Sequence, residues 1–302
     1  MRRRTFTLSL TCLSSAMFTV NADADGSSEV LASYYSRHMA LVDGVAHAWI
    51  GTGSPQKMLE GVKEVGVSQD AFFGLLQGGD LLRWADMPGR ATMLRQGVTS
   101  FAVGQSGCFA IDRRQTLWRA VGDHFAFTRV SDDVAAACIG DGADYYVVRD
   151  GTLFVKGLAH RGQYGDGLLT ATPDFIATAR DAVAVRAHTG HALFLRRDGV
   201  VLGTGGNRYG PLSSHGLGDK ADRWGPVFDG AKAIATGSRH SAALRADATL
   251  WAWGDGFDIK PRKLLDQVTA VACGDTATLA RTTDGNVWQW DRGAGPRRLA
   301  VR

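Results

Sequence analysis

The sequence predicts an all-β chain closed into a seven-bladed propeller. The first observation is a unit that recurs about seven times at roughly 36 to 49 residues, the spacing of propeller blades. The second is the content of each unit: short apolar runs separated by Asp-Gly or Gly-Gly, the pattern of antiparallel hairpins. A meander of this size cannot bury both of its faces. Radial stacking of neighbours covers them and leaves only short edges.

The units can be followed along the chain. The first runs around Val30 to Gly51, and degenerate copies begin at Val62 and Val98. Fuller copies run Val134 to Gly157, Ala182 to Gly205, Ala231 to Gly254 and Val268 to Trp290. Each opens with two apolar residues three apart, as in Val62/Val65, Val134/Ala137 and Val268/Val271. A small residue follows, usually glycine: Gly104, Gly140, Gly237, Gly274. Asp43-Gly44, Asp150-Gly151, Asp198-Gly199 and Asp284-Gly285 then read as tight type I′ hairpin turns, with Gly78-Gly79 in the second copy. Asp247-Ala248 lacks the glycine, so a looser or strained turn is expected there. The segment Pro296 to Val301 resembles Pro261 to Leu265, a strand standing between two repeats. With no repeat after it, Arg297 to Val301 is expected to pair into the blade of Val30 to Gly51 and close the ring.

In the sixth copy, Gly237, His240, Ser241, Leu244, Asp247, Leu250, Trp251, Trp253 and Gly254 follow the pattern G-x-x-H-S-x-A-L-x-x-D-G-x-L-W-x-W-G. This resembles the repeat of the regulator of chromosome condensation family, the RCC1-like propellers. The fourth copy matches at Gly140, Val147, Asp150, Gly151, Leu153, Phe154 and Gly157. The family's trailing G-Q-L-G element is similar to Gly162-Gln163-Tyr164-Gly165 and Gly210-Pro211-Leu212. The resemblance covers nearly everything from Val30 onward. It implies the propeller fold and leaves function open, because one fold hosts many functions. The family histidine stands at His191 and His240, with His38 a further candidate; Ala71, Gly107, Ala143 and Ala277 replace it elsewhere. His240 is expected to be buried and hydrogen-bonded to backbone.

Composition agrees with one closed β domain over 25–302. Among 302 residues there are 38 glycines for turns and only 7 prolines, and no Ser/Gly linker divides the chain. Residues 1–24 read as a secretory signal peptide, with Arg2-Arg3-Arg4, an apolar middle and Ala22-x-Ala24. Export to the periplasm or medium is therefore expected, with no membrane anchor on the mature chain; another kind of export tail is the alternative. Cleavage would lower the net charge of +4 by two, since three arginines and Asp23 leave. A near-neutral mature surface gives no warrant for nucleic-acid binding. Cys108, Cys138 and Cys273 are odd in number and lack C-x-x-C spacing, which favours buried free thiols over disulfides or a metal site.

No P-loop, H-E-x-x-H or G-x-S-x-G element is present, and the G-x-G pairs precede turns, not helices. His188 and His191 occupy repeat positions, so hydrogen bonding outweighs a metal pair there. The recurring tryptophans Trp49, Trp84, Trp118, Trp251, Trp253, Trp288 and Trp290 read as packing between blades more than as a sugar-stacking platform. No catalytic residue, metal or cofactor is expected.

The fourth and fifth copies carry extra segments after Gly157 and Gly205. Insertions in repeat folds map to one face, often the binding face. Tyr164, Asn207, Arg208, Tyr209, Arg223 and Trp224 are therefore the expected partner-binding residues, rich in the types that dominate interface hot spots. Read whole, the sequence points to an exported, monomeric, non-catalytic propeller that binds a protein partner. Two alternatives come from the resemblance: guanine-nucleotide exchange on a small GTPase, and hydrolase or β-lactamase inhibition by a secreted propeller. The competing view of Tyr164 and Tyr209 makes them loop-packing residues.

Overall fold

The computed structural model describes residues 31–87, 89–122, 125–215 and 218–301. The leader expected over 1–24 lies outside the described residues. Among the described residues, twenty-eight strands form seven four-stranded antiparallel meanders: 31–60, 62–95, 98–131, 134–179, 182–228, 231–265 and 268–299, numbered here as blades 1 to 7. In every blade the first strand is innermost and the fourth is outermost. No helix among the described residues is long and apolar enough to cross a membrane.

Seven clusters of buried apolar side chains fill the seven interfaces between neighbouring blades. The last unites Leu31, Ala40 and Trp49 of blade 1 with Ala270, Leu279, Val287 and Leu299 of blade 7. The ring is closed by packing, and each blade supplies its own four strands. This corrects the expected closure. Pro296–Leu299 pairs with the third strand of blade 7, Val287 opposite Leu299 and Trp290 opposite Pro296. The outer strand of blade 1 is its own Gln56–Glu60. A short connection, Arg292 to Gly295, makes the local hairpin far cheaper in loop entropy than a crossover. Arg262–Leu265 is likewise the fourth strand of its own blade. The C-terminal strand still reaches blade 1 through side chains: Arg297 Nη2 donates to Gly51 O at 3.4 Å and to Gln289 Oε1 at 2.8 Å. Gln289 Oε1 also accepts Trp49 Nε1 at 3.0 Å.

The Asp-Gly turns are mostly not type I′. Only Asp43-Gly44 has two consecutive positive φ values, 52° and 74°. At Arg149-Asp150-Gly151 the loop has three residues: Val148 N donates to Thr152 O and only Gly151 is left-handed, at φ 90°. That is a type I turn followed by a left-handed residue. The aspartate serves the turn by accepting Thr152 N at 2.7 Å. Ala248 occupies the equivalent left-handed slot at φ 64°, the strain expected from its sequence. A Cβ in that region costs roughly 1–2 kcal/mol. Ala248→Gly should therefore raise stability by about 1 kcal/mol in a denaturant titration, gained strain relief outweighing the entropy that glycine adds to the unfolded chain. A variant less stable than the parent would show that the turn is not strained.

Where the family histidine is kept in its slot, it links its blade to the next. His191 Nε2 meets Ser241 Oγ at 3.1 Å, and His240 Nε2 meets Thr278 Oγ1 at 2.9 Å. The partner of His240 is thus a side chain of the following blade and not backbone. In blade 1 the slot holds Arg37, by strand register with Ile50, and His38 falls one place later. In blade 3 the slot is Gly107, and the guanidinium of Arg119 fills it: a Cβ on Gly107 would stand 2.3 Å from Arg119 Nη1. Arg119 reaches Asp144 in blade 4, which stands where Ser241 and Thr278 stand in theirs. Cys108, Cys138 and Cys273 are buried and free, as expected.

Candidate functional site

The meander puts two sets of connections at one end of the ring: the turn between first and second strands, and the connection between third and fourth strands. The fourth- and fifth-blade insertions therefore share one face with the seven inner turns around the channel. The opposite face carries the Asp-Gly turns and the short links between blades.

The two insertions lie against each other, as the repeat order leads one to expect. Thr204 Oγ1 donates to Gly162 O at 2.8 Å, Trp224 N to Gly165 O at 3.2 Å, and Gly167 N to Asp222 O at 2.8 Å. Asp166 and Arg223 form an isolated antiparallel bridge. The fifth-blade connection also wedges against blade 6, where Pro211 O accepts Trp253 Nε1 at 2.7 Å and Ser241 Oγ at 2.9 Å. Leu212 is fully buried beneath it.

Three of the six expected contact residues build these loops instead of facing outward. Tyr164 is fully buried; its hydroxyl donates to Gly157 O at 2.7 Å and accepts Thr172 N at 3.0 Å. Asn207 is buried, with Oδ1 accepting Leu212 N at 3.0 Å and Nδ2 donating to His215 O at 3.1 Å. Trp224 is half-buried, edge-on to Phe194 at 4.8 Å and pressed over Gly165. For Tyr164 and Asn207 the reason is the same. A long connection on a repeat protein must satisfy its own backbone, and a buried Tyr or Asn supplies donors and acceptors for it. Arg208, Tyr209 and Arg223 are exposed. Tyr209 is not packed under its turn; the guanidinium of Arg239 in blade 6 lies 4.3 Å from its ring centroid. Arg239 Nη1 also stands 3.7 Å from Asp255 Oδ2, which accepts Arg292 Nη1 at 2.8 Å. A line of alternating aromatic, cationic and anionic groups thus crosses blades 5, 6 and 7.

The large apolar side chains exposed on the described surface are Tyr35, Ile50, Met93, Val121, Leu158, Leu168, Leu169, Tyr209 and Ile259. Eight lie in, or immediately beside, connections of the long-loop face, and Met93 is the second residue of a strand that starts there. The most open are Leu168 and Ile259, 62% and 61% exposed. The opposite face contributes none.

A polar cluster escaped the sequence reading. At the channel mouth on the same face, Tyr34 of blade 1 donates its hydroxyl to Asp141 Oδ1 of blade 4. Thr189 Oγ1 of blade 5 donates to Asp141 Oδ2 at 2.8 Å. His188 stacks on Tyr34 at 4.7 Å, and its Nε2 stands 3.4 Å from Asp275 Oδ1 of blade 7. Thr189 N donates to His188 Nδ1 at 2.9 Å, so the ring proton sits on Nε2 and faces Asp275. Burial drives His188 down to about 4 and keeps the ring neutral; the nearby Asp141 charge opposes that fall. Burial, then the Asp141 charge, pushes Asp275 up to about 6. The signal was available as one repeat column: Tyr35, Gln69, Gln105, Asp141, Thr189, Ser238 and Asp275 each follow the residue in the repeat glycine slot.

The regulator of chromosome condensation (RCC1) repeat matches this chain over residues 231–258, the core of blade 6. Over that stretch the chain is similar to the RCC1 repeat. No curated protein sequence matches it. Among solved structures, the chain resembles Prp20p from Saccharomyces cerevisiae at 15% identity and a TM-score of 0.70, covering 85% of this chain and 82% of that one. Human WBSCR16 is similar at 14% identity and a TM-score of 0.73, covering 84% and 86%. The CRINKLY WD40 ectodomain of the Arabidopsis thaliana receptor kinase ACR4 aligns at 12% identity and a TM-score of 0.60, covering 91% and 98%. At such identities the likeness is one of fold. In blades 1 and 3 the histidine slot is filled by other groups, Arg37 in the first and the guanidinium of Arg119 beside Gly107 in the third.

Proposed function

We propose that this RCC1-like propeller is an exported, non-catalytic binding protein that docks a protein partner on its long-loop face. The observation that carries the reading is the segregation of exposed apolar side chains to that one face. Apolar side chains exposed on one face and not on the other favour that face for interaction. Tyr209, Arg208 and Arg239 add the aromatic and guanidinium groups that anchor protein interfaces. The yeast structure of similar fold was studied for its binding to Gsp1p and histones, and a second yeast structure has Kap60 bound to it. These relations support a binding role and name no partner for this chain.

The test is capture from periplasm and culture medium with the mature chain, followed by substitution of the captured complex. Tyr209→Ala and Ile259→Asp should each weaken binding by more than about 1 kcal/mol, the usual hot-spot threshold. Melting temperature should hardly change, because both side chains are exposed. Affinity indifferent to both changes would remove this face from the reading. Nucleotide release from a GTPase by the captured complex, or loss of hydrolase activity, would instead identify one of the two alternative activities.

A further inference from the structure

Blade 6 carries an open groove at its outer corner, where the connection 255–261 turns into the outer strand Arg262–Leu265. Trp251, Ile259 and Pro261 give the groove its apolar lining. Lys260, Arg262 and Lys263 give it cations, and Asp258 a carboxylate. The apolar surface continues beyond the groove. Ile259 packs on Gly210 of the blade 5 connection, where a Cβ would stand 3.1 Å from Ile259 Cγ1, and Tyr209 immediately precedes that glycine.

We propose that this groove takes an extended acidic segment of the partner protein, laid along the outer strand of blade 6 with an apolar side chain against Ile259 and Pro261. The inference rests on the reading of the chain as a partner-binding propeller and adds the chemistry of the partner.

Charge gives the segment its sign. Lys263 Nζ stands 2.6 Å from Asp266 Oδ1, an exposed pair that closes on itself. Lys260 and Arg262 are exposed, and among the described residues neither forms an ion pair. Outer strands elsewhere neutralise such groups locally: Lys57 reaches Glu60 in blade 1, and Arg129 reaches Asp132 in blade 3. Beside the groove, Asp255 accepts Arg292 and faces Arg239, so that trio also keeps a positive charge over. A segment bearing several carboxylates complements Lys260, Arg262 and this surplus together, and such complementarity steers and selects a partner.

The strand gives the segment its shape. Arg262–Leu265 pairs on one side only, with Leu250, Trp251 and Ala252, so its other edge presents backbone N–H and C=O groups. An extended peptide satisfies such an edge while alternate side chains enter the pockets beside it. The cations that discourage pairing with a second basic edge admit an acidic one. A single nucleic-acid strand fits less well, because it stacks its bases on open aromatic faces. Here Arg239 lies 4.3 Å from the ring centroid of Tyr209, and Arg245 lies 4.7 Å from that of Trp251.

A display library of random peptides, about twelve residues long, panned on the full chain gives an unbiased test. Enriched sequences should carry net negative charge and a large apolar residue. The leading sequence, synthesised and labelled, is then the probe for affinity by fluorescence anisotropy. Lys260→Glu combined with Arg262→Glu should weaken its binding about tenfold or more, and Ile259→Asp likewise. Arg113→Glu, on the opposite face, should leave it unchanged. Raising salt from about 50 to about 500 mM should weaken the native complex. All four side chains are exposed, so the melting temperature should hold in each variant. Enriched sequences that are neutral or basic, or no enrichment at all, would overturn the proposal, as would acidic peptides indifferent to the paired charge reversal. An oligothymidylate bound more tightly than the leading peptide would overturn it in favour of a nucleic-acid strand. A captured partner that loses affinity with Tyr209→Ala but keeps it through the paired reversal would leave the docking face in place and remove the groove.

Discussion

The propeller should unfold in mild acid, losing roughly 3 kcal/mol of stability per pH unit near pH 5. Four buried histidines are responsible. Burial drives His38, His188 and His240 to about 4 and His191 to about 3. In the unfolded chain each returns to about 6.5. Below that pH the unfolded state binds protons that the folded state refuses, so stability is complete above 6.5 and falls as pH drops toward 4. Two acids oppose the trend. Glu64 is pushed up to about 7 and Asp275 to about 6, chiefly by burial, so both favour the folded chain as pH falls through those values. Near pH 5 the histidines outnumber the acids, and about two net protons are taken up on unfolding. A domain of ordinary stability, 5–15 kcal/mol, loses most of it over two such pH units. Urea midpoints at pH 7.5 and 5.0 measure the effect. His240→Gln should flatten the pH dependence by about one proton. Equal midpoints at the two pH values would show that the histidines titrate normally and are not sealed between blades.

Removing the guanidinium of Arg119 should cost about 3–5 kcal/mol, the range for breaking a buried ion pair from one side. Arg119 Nε donates to Asp144 Oδ2 at 2.9 Å, and Nη2 donates to Ser106 Oγ at 2.8 Å and Ser106 O at 3.2 Å. Its Nη1 donates to Ala120 O, and the group lies 5.2 Å from the ring centroid of Phe109. Both charged side chains are nearly inaccessible, at 7% and 12% exposure. Arg119→Ala would leave Asp144 buried without its cation and open a hole beside Gly107. Pairing it with Asp144→Ala should recover part of the loss, because no charge is then stranded. Denaturant titration of the two single variants and the double variant gives the coupling directly. An Arg119→Ala chain within 1 kcal/mol of the parent would mean that the space beside Gly107 is wet, and that the arginine does not replace the missing histidine.

Periodic features of the fold were legible because a blade is a local object. The spacing of Val62/Val65 and Val134/Ala137, the turn residues and the recurring tryptophans all lie within one hairpin or meander. Burial of Trp49, Trp253 and the three cysteines followed from their repeat positions. The candidate site was legible only as a region. The two insertions were found and are adjacent, but residue type alone could not separate Tyr209, which faces outward, from Tyr164, which holds its own loop. Both are tyrosines in polar, glycine-rich segments. What distinguishes them is whether a backbone carbonyl lies within reach of the hydroxyl, and that depends on how the loop folds back.

The sequence by itself determined the number of blades, the place of the hairpin turns within each and the adjacency of the two long connections, because each follows from the order and spacing of the repeats. Only the tertiary structure decided how the ring closes, which residues replace the missing histidines and what occupies the channel mouth. Pro296–Leu299 chose its hairpin neighbour over blade 1 because the near partner costs less loop entropy. Arg119 found Asp144 in the next blade, and Tyr34 found Asp141 across the lumen, over a separation of 107 residues. Contacts of that kind leave no periodic trace, since each is made once, where the curvature of the ring brings two unlike repeat positions together.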